Sequence, residues 1–225
     1  SGFADAGPDG LLAQDDLLRA VRGKGMRLVG PNCLGIANTH PAVRLNATLA
    51  PLLPRPGRVG FFSQSAALGT ALLAEADRRG IGLSSFISAG NRADVSGNDA
   101  LQYWRGDPET DAVLLYLETF GNPRKFARLA RRLARTKPIV AVKSGRHTRP
   151  VAGLAAHTEP IDDASVRALF EQAGVIRVDT LAELFDTALL LSHQPLPAGS
   201  RVAVVDDAWF VEVEAPGAEP QHLRW

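Results

Sequence analysis

Residues 112–118 read Ala-Val-Leu-Leu-Tyr-Leu-Glu, an apolar run that ends in a carboxylate. A half-exposed antiparallel strand alternates apolar and polar residues. A run that is apolar throughout is a strand covered on both faces, as in the parallel sheet of an α/β protein. Comparable runs recur on either side: Arg58–Ser63 (RVGFFS), Leu83–Ala89 (LSSFISA), Pro138–Lys143 (PIVAVK) and Val175–Val178 (VIRV). The segments between them, about Ser65–Arg79, Asn98–Trp104, Pro123–Arg135, Asp162–Ala173 and Leu181–Leu191, carry helical spacing. Asn122 before Pro123 is a helix start, and Gly80 and Gly174 stand where left-handed C-terminal caps are wanted. Five βα units in succession predict a doubly wound, flavodoxin-like parallel sheet over residues 58–192.

Outward from this core the pattern weakens. Pro51–Gly57 holds three prolines and a glycine in seven residues and reads as a linker. Upstream, one helix (about Leu11–Arg22) and one short strand (Arg27–Gly30) cannot bury their own apolar faces. Residues 1–50 are therefore expected to be the C-terminal remnant of a Rossmann-like domain, poorly packed, while 58–192 folds alone. Downstream, Arg201–Val205 (RVAVV) resembles the first strand of another α/β domain, but 206–225 has neither period. Residues 193–225 thus read as the start of a further domain, truncated and aberrant.

Composition narrows the function. In 225 residues, 45% are hydrophobic and 22% charged, with a net charge of +1. Of 25 basic residues only four are Lys, and the Arg residues are scattered among acidic ones, against a nucleic-acid binder. Arg128, Arg131, Arg132 and Arg135 form one helical stripe, which reads first as a solvated face. No run approaches the roughly 18 to 20 apolar residues of a membrane helix. With no export signal and a lone Cys33, a cytoplasmic setting is expected. His40, His147, His193 and His222 show no metal-ligand spacing with one another or with Cys33, so no metal site is expected.

Four stretches in order carry a family resemblance: Gly30-Pro31-Asn32-Cys33-Leu34-Gly35, Ser63-Gln64-Ser65-Ala66-Ala67-Leu68, Ser88-Ala-Gly-Asn-Arg-Ala-Asp94 and Ala156-His157-Thr158. Together they resemble the α-part of the succinyl-CoA ligase superfamily, and most closely the ADP-forming acetyl-CoA synthetases, over about residues 1–205. The resemblance implies a nucleoside-diphosphate-forming acyl-CoA synthetase, of which this chain is a fragment. Phosphate displaces coenzyme A from acyl-CoA, the acyl phosphate passes its phosphoryl group to a histidine, and the histidine passes it to ADP or GDP. An ATP-grasp partner domain or subunit would carry the ATP/ADP and Mg²⁺, and the parent enzyme would be an oligomer.

The resemblance assigns the phosphorylated histidine to His157. A neutral imidazole nitrogen is a competent nucleophile toward a phosphoryl group, although a lone loop histidine is otherwise an ordinary surface residue. Glu118, at the carboxyl end of its strand, is placed to hold one imidazole nitrogen and leave the other free; a solvated strand-end glutamate is the alternative. Ser63, Gln64, Ser65 and Ala66 would form the phosphate cradle at a helix N-terminus, where a serine cap is also expected. Pro31, Asn32 and Cys33 would contact coenzyme A, weakly without the domain's opening unit. Asn91 and Asp94 would line the same crevice, or serve turn chemistry. Two positions depart from the family pattern, Ala66 and Glu159 standing for glycines. They leave open a non-catalytic CoA- or nucleotide-responsive module of an acyltransferase fusion, or an inactive truncated product.

Overall fold

The computed structural model describes residues 2–51, 53–144 and 162–195. A short 3-10 turn, Phe3–Ala6, leads into α1 (Pro8–Gly23), followed by two short strands, β1 (Gly35–Asn38) and β2 (Leu45–Thr48). Then come β3 (Pro56–Ser63), α2 (Ala66–Arg78), β4 (Leu83–Ser88), α3 (Gly97–Gly106), β5 (Ala112–Leu117), α4 (Pro123–Leu133), β6 (Ile139–Lys143), α5 (Asp163–Ala173), β7 (Val175–Val178) and α6 (Leu181–His193). The described residues up to His193 belong to one compact unit.

The strands form one sheet in the order β2-β1-β4-β3-β5-β6-β7. From β4 to β7 all pairings are parallel. Numbered by themselves, these five strands run 2-1-3-4-5, the flavodoxin order. Strand alternation explains the unbroken apolar runs. Phe62, Val113, Leu115 and Ile139 turn to a core shared with α3, α4 and α5, whereas Phe61, Leu114 and Val140 turn to one shared with α2 and α6. Gly60 leaves room for the Trp104 ring, because a Cβ there would come within 2.5 Å of it. The left-handed caps expected at Gly80 and Gly174 form, with φ of 74° and 70°. The Asn122 side chain accepts a hydrogen bond from Lys125 N, fixing the start of α4. That helix buries Phe126, Leu129, Ala130 and Leu133 and leaves the arginine stripe exposed.

Three expectations are corrected. No strand forms at Arg27–Gly30. Carbonyls of this segment are taken by a loop instead, through Val95 N to Leu28 O and Ala93 N to Gly30 O, with Asn91 N donating to Pro31 O just beyond it. Pro31 has no N–H, and Leu28 N donates to the Asp94 carboxylate, so no ladder can form. Second, Gly35–Asn38 and Leu45–Thr48 form an antiparallel hairpin that joins the main sheet through β4. Residues 1–50 are therefore not merely a loose remnant: Leu34 and Ala37 lie in the core between the sheet, α2 and α6. Third, Pro56 and Gly57 of the expected linker already belong to β3.

Candidate functional site

In a doubly wound sheet the ligand crevice lies at the carboxyl ends of the strands, where the strand order reverses. Here that point falls between β3 and β5. The crevice is therefore bordered by Ser63-Gln64-Ser65 on one side and Glu118-Thr119 on the other. Gln64 N donates to Tyr116 O, Ala89 N to Ser63 O and Ser144 N to Leu117 O, which carries the β4-β3-β5-β6 pairing to the rim.

The expected phosphate cradle divides into parts with different work. Ser65 caps α2, its Oγ accepting from Leu68 N at 3.3 Å. The start of α2 behind it directs free backbone N–H groups and the positive end of the helix dipole toward the crevice. Ala66 is the first residue of that helix and is not among the positive-φ positions, so the backbone makes no demand for glycine there. Ser63 is buried and donates from Oγ to Ser65 O at 3.0 Å. The Gln64 side chain is engaged within the protein. Its Oε1 accepts from Glu118 N (2.6 Å) and Thr119 N (2.9 Å), and its Nε2 donates to Thr119 O (2.7 Å). With both ends of the amide occupied, Gln64 is a clamp that shapes the loop after β5.

That clamp leaves Glu118 exposed at the strand end. Among the described residues, its carboxylate has no hydrogen-bond or ion-pair partner. His157, the loop 151–156 before it and Glu159 lie outside the described residues, as does the run Arg201–Val205.

Asn91 and Asp94 do not line the crevice as free groups. Asn91 Nδ2 donates to Gln14 Oε1 of α1 at 3.1 Å. Asp94, its side chain only 2% exposed, receives Arg22 at 2.8 Å, Arg27 at 2.7 Å and the Leu28 amide at 2.9 Å. The Arg27 hydrogen bond, supported by those of Arg22 and Leu28 N, holds this carboxyl well below the usual carboxylate range. Asp94 is a latch between the loop after β4 and the front of the chain. The physical reason is plain: two nearby cations compete for it more strongly than solvent or a crevice ligand.

Of the proposed coenzyme A contacts, Pro31 is buried, Asn32 is exposed and Cys33 is half-buried. Asn32 is left-handed, with φ of 55°, and its Nδ2 donates to Asp5 at 2.8 Å. Burial raises the Cys33 thiol pKa, which disfavours the reactive thiolate. Among the described residues no three His, Cys, Asp or Glu side chains gather as a metal site, and no helix is long and apolar enough to cross a membrane.

Sequence reading missed Arg92. It follows β4, is left-handed with φ of 54°, and reaches past the β3 end to the loop after β5. Its Nη2 donates to Thr119 Oγ1 at 2.7 Å and its Nη1 to Thr119 O at 3.5 Å. The usable signal was an arginine inside a Gly-Asn turn after a buried strand.

Fold and site together define a doubly wound α/β domain whose switch point joins a helix N-terminus, a free carboxylate and a half-buried guanidinium, equipment suited to anionic ligands. Residues 56–191 match the succinyl-CoA ligase like flavodoxin domain, and the chain belongs to that family. It is 38% identical over 220 residues to the alpha subunit of acetate–CoA ligase [ADP-forming] I of Pyrococcus furiosus, covering 97% of this chain and 47% of that protein. It is 33% identical to the 4-hydroxybutyrate–CoA ligase [ADP-forming] of Nitrosopumilus maritimus, covering 92% and 30%. In three dimensions it is similar to the dinucleotide-forming acetyl-coenzyme A synthetase 1 of Ca. Korarchaeum cryptofilum in complex with phosphate and ADP. That match has a TM-score of 0.80 and 37% identity, covering 89% of this chain and 43% of the other. The chain thus spans about half or less of the length of these relatives.

Proposed function

We propose that this chain is the phosphoryl-carrying part of a nucleoside-diphosphate-forming acyl-CoA synthetase. The observation that carries the reading is the Glu118 carboxylate at the switch point, exposed and without a hydrogen-bond or ion-pair partner among the described residues. Phosphate attacks the acyl-CoA carbonyl and releases coenzyme A as the thiol. An imidazole nitrogen of His157 then attacks phosphorus of the acyl phosphate and expels the carboxylic acid's anion. The phosphohistidine finally yields its phosphoryl group to a nucleoside diphosphate, and the sequence runs in reverse for synthesis of acyl-CoA. Glu118 orients the ring and stabilises the charge it gains. The α2 N-terminus, with Ser65 and Ala66, receives the phosphoryl oxygens. Asn32 and Cys33 contact coenzyme A. ATP, ADP and Mg²⁺ belong to an ATP-grasp partner.

The test is phosphoryl transfer to the 225-residue chain from acetyl phosphate, or from ATP and Mg²⁺ with an ATP-grasp partner. Acid-labile label that is lost in His157→Ala and strongly reduced in Glu118→Gln is the expected result. A folded chain that takes no label, or is labelled equally in His157→Ala, would refute the reading in favour of a non-catalytic module.

A further inference from the structure

The Arg92 guanidinium is half-buried, and both of its terminal nitrogens donate to neutral oxygens of one residue, Thr119. Its third nitrogen, Nε, is buried with its N–H lacking any hydrogen-bond acceptor. Among the described residues no carboxylate lies within ion-pair distance. A buried cation in this condition is costly, because the guanidinium stays ionised in proteins and its charge must be balanced by something. The backbone cost adds to it: Arg92 is held in the left-handed region, which a long side chain rarely adopts. Burial lowers the Arg92 pKa, and the nearby Glu118 charge opposes that shift only in part. The elements around it explain its posture but not its charge. Thr119 is positioned by the Gln64 clamp.

We infer that Arg92 is a binding residue for a phosphate-type oxyanion in the switch-point crevice, its Nε–H supplying a charge-assisted hydrogen bond that the protein itself leaves unmade. This deepens the proposed function and rests on that reading of the crevice. The shared chemistry is a tetrahedral phosphoryl group, which arrives either as inorganic phosphate or as the phosphoryl end of an acyl phosphate. Arg92 would neutralise that group across from Glu118, whose negative charge otherwise repels it. The left-handed turn at Arg92 is the strain accepted to aim the side chain over the β3 end.

The experiment follows the Arg92 Nε–H signal by 15N–1H NMR in the full 225-residue chain, assigned by its loss in Arg92→Lys. A His157→Ala background is used so that no phosphoryl transfer intervenes. Inorganic phosphate, acetyl phosphate and acetate are titrated in separate arms. A saturable shift with phosphate, with acetyl phosphate or with both supports the inference and identifies the source, and acetate should leave the signal in place. In parallel, Arg92→Gln should weaken binding of the active anion by about tenfold to a hundredfold, the loss of one charge-assisted hydrogen bond, while Arg92→Lys recovers part of it. No shift with either phosphoryl compound, an equal response to acetate, or unchanged affinity in a folded Arg92→Gln chain overturns it. Because the wild-type guanidinium is itself observed, the result stands even if Arg92→Gln fails to fold. Labelling at His157 in the wild-type chain is scored separately. Label with no Arg92 response rejects this inference alone, whereas absence of label rejects the phosphoryl-carrying reading.

Discussion

The parallel strands β3 to β7 and the front segment from Gly2 to Ala50 meet along β4, yet they are held by different forces. Phe61, Phe62, Leu114, Leu115 and Trp104 in the parallel core are essentially inaccessible to solvent. The front segment buries little of α1, where Gln14 is the single buried residue, and it is tied to the rest by Asp94, Asn91 and the β1–β2 hairpin. Hydrophobic burial is not weakened by NaCl or mild acid, while charge-assisted contacts are weakened by both. The site lies where the two regimes adjoin, since the loop after β4 contributes Asp94 to the latch and Arg92 to the crevice.

The largest effect that would sharpen this contrast is expected from Trp104→Ala. The ring is fully buried, and its Nε1 donates to Ser85 Oγ at 2.8 Å. A loss of about 3–5 kcal/mol in urea unfolding is expected, and a loss below about 1 kcal/mol would show that this face of the core is loosely packed. Leu34→Ala asks whether the front segment also shares in the core. Leu34 packs against Gly69 of α2 and is 7% exposed, so about 2–3 kcal/mol should be lost in the same assay. No change would mean that β1 merely rests on the sheet.

Asp94→Asn removes the charge from the latch. About 1–2 kcal/mol of local stability should go, read as faster tryptic cleavage at Arg22, Lys24 and Arg27 with the unfolding midpoint of the core nearly unmoved. Loss of the whole fold would erase the distinction between the regions. Acid should act at the same point but late. Asp94 has a depressed folded pKa, so its contribution is complete above the unfolded value of about 3.9 and is lost only as pH falls through the lower folded value. The Leu28 amide resonance should hold steady from pH 7 to about pH 4 and move below that; a midpoint at or above about 4 would show that the ion pairs do not form. The smallest effect is that of salt. At about 1 M NaCl the exposed Arg22 and Arg27 contacts should weaken by less than about 1 kcal/mol, visible as modestly faster cleavage at the same bonds.

The parallel core was readable because its signals are local and redundant. Apolar runs such as 112–117, caps such as Asn122 and left-handed glycines such as Gly174 each point the same way. The hairpin was not. Gly35–Asn38 and Leu45–Thr48 are four residues each, β2 is largely exposed, and neither run has a periodicity distinguishable from coil. Arg27–Gly30 failed in the opposite sense: it looks like a strand, but its carbonyls are satisfied by the 91–95 loop, a partner more than sixty residues away. In the candidate site, the chain order of Ser63-Gln64-Ser65 and Glu118 placed both at strand ends. The division of labour among them depended on contacts that no spacing reveals.

By itself, the sequence determined the five βα units, their parallel pairing and the carboxyl edge as the place where chemistry would gather, because burial on two faces and helix-capping chemistry are written in neighbouring residues. Only the tertiary structure decided that Gln64 clamps the loop after β5, that Asp94 is spent on Arg22 and Arg27, and that Arg92 reaches across β3 with a donor left over. Those outcomes turn on which charged and polar groups approach within hydrogen-bond distance after the sheet assembles, and that distance is a property of the packed chain.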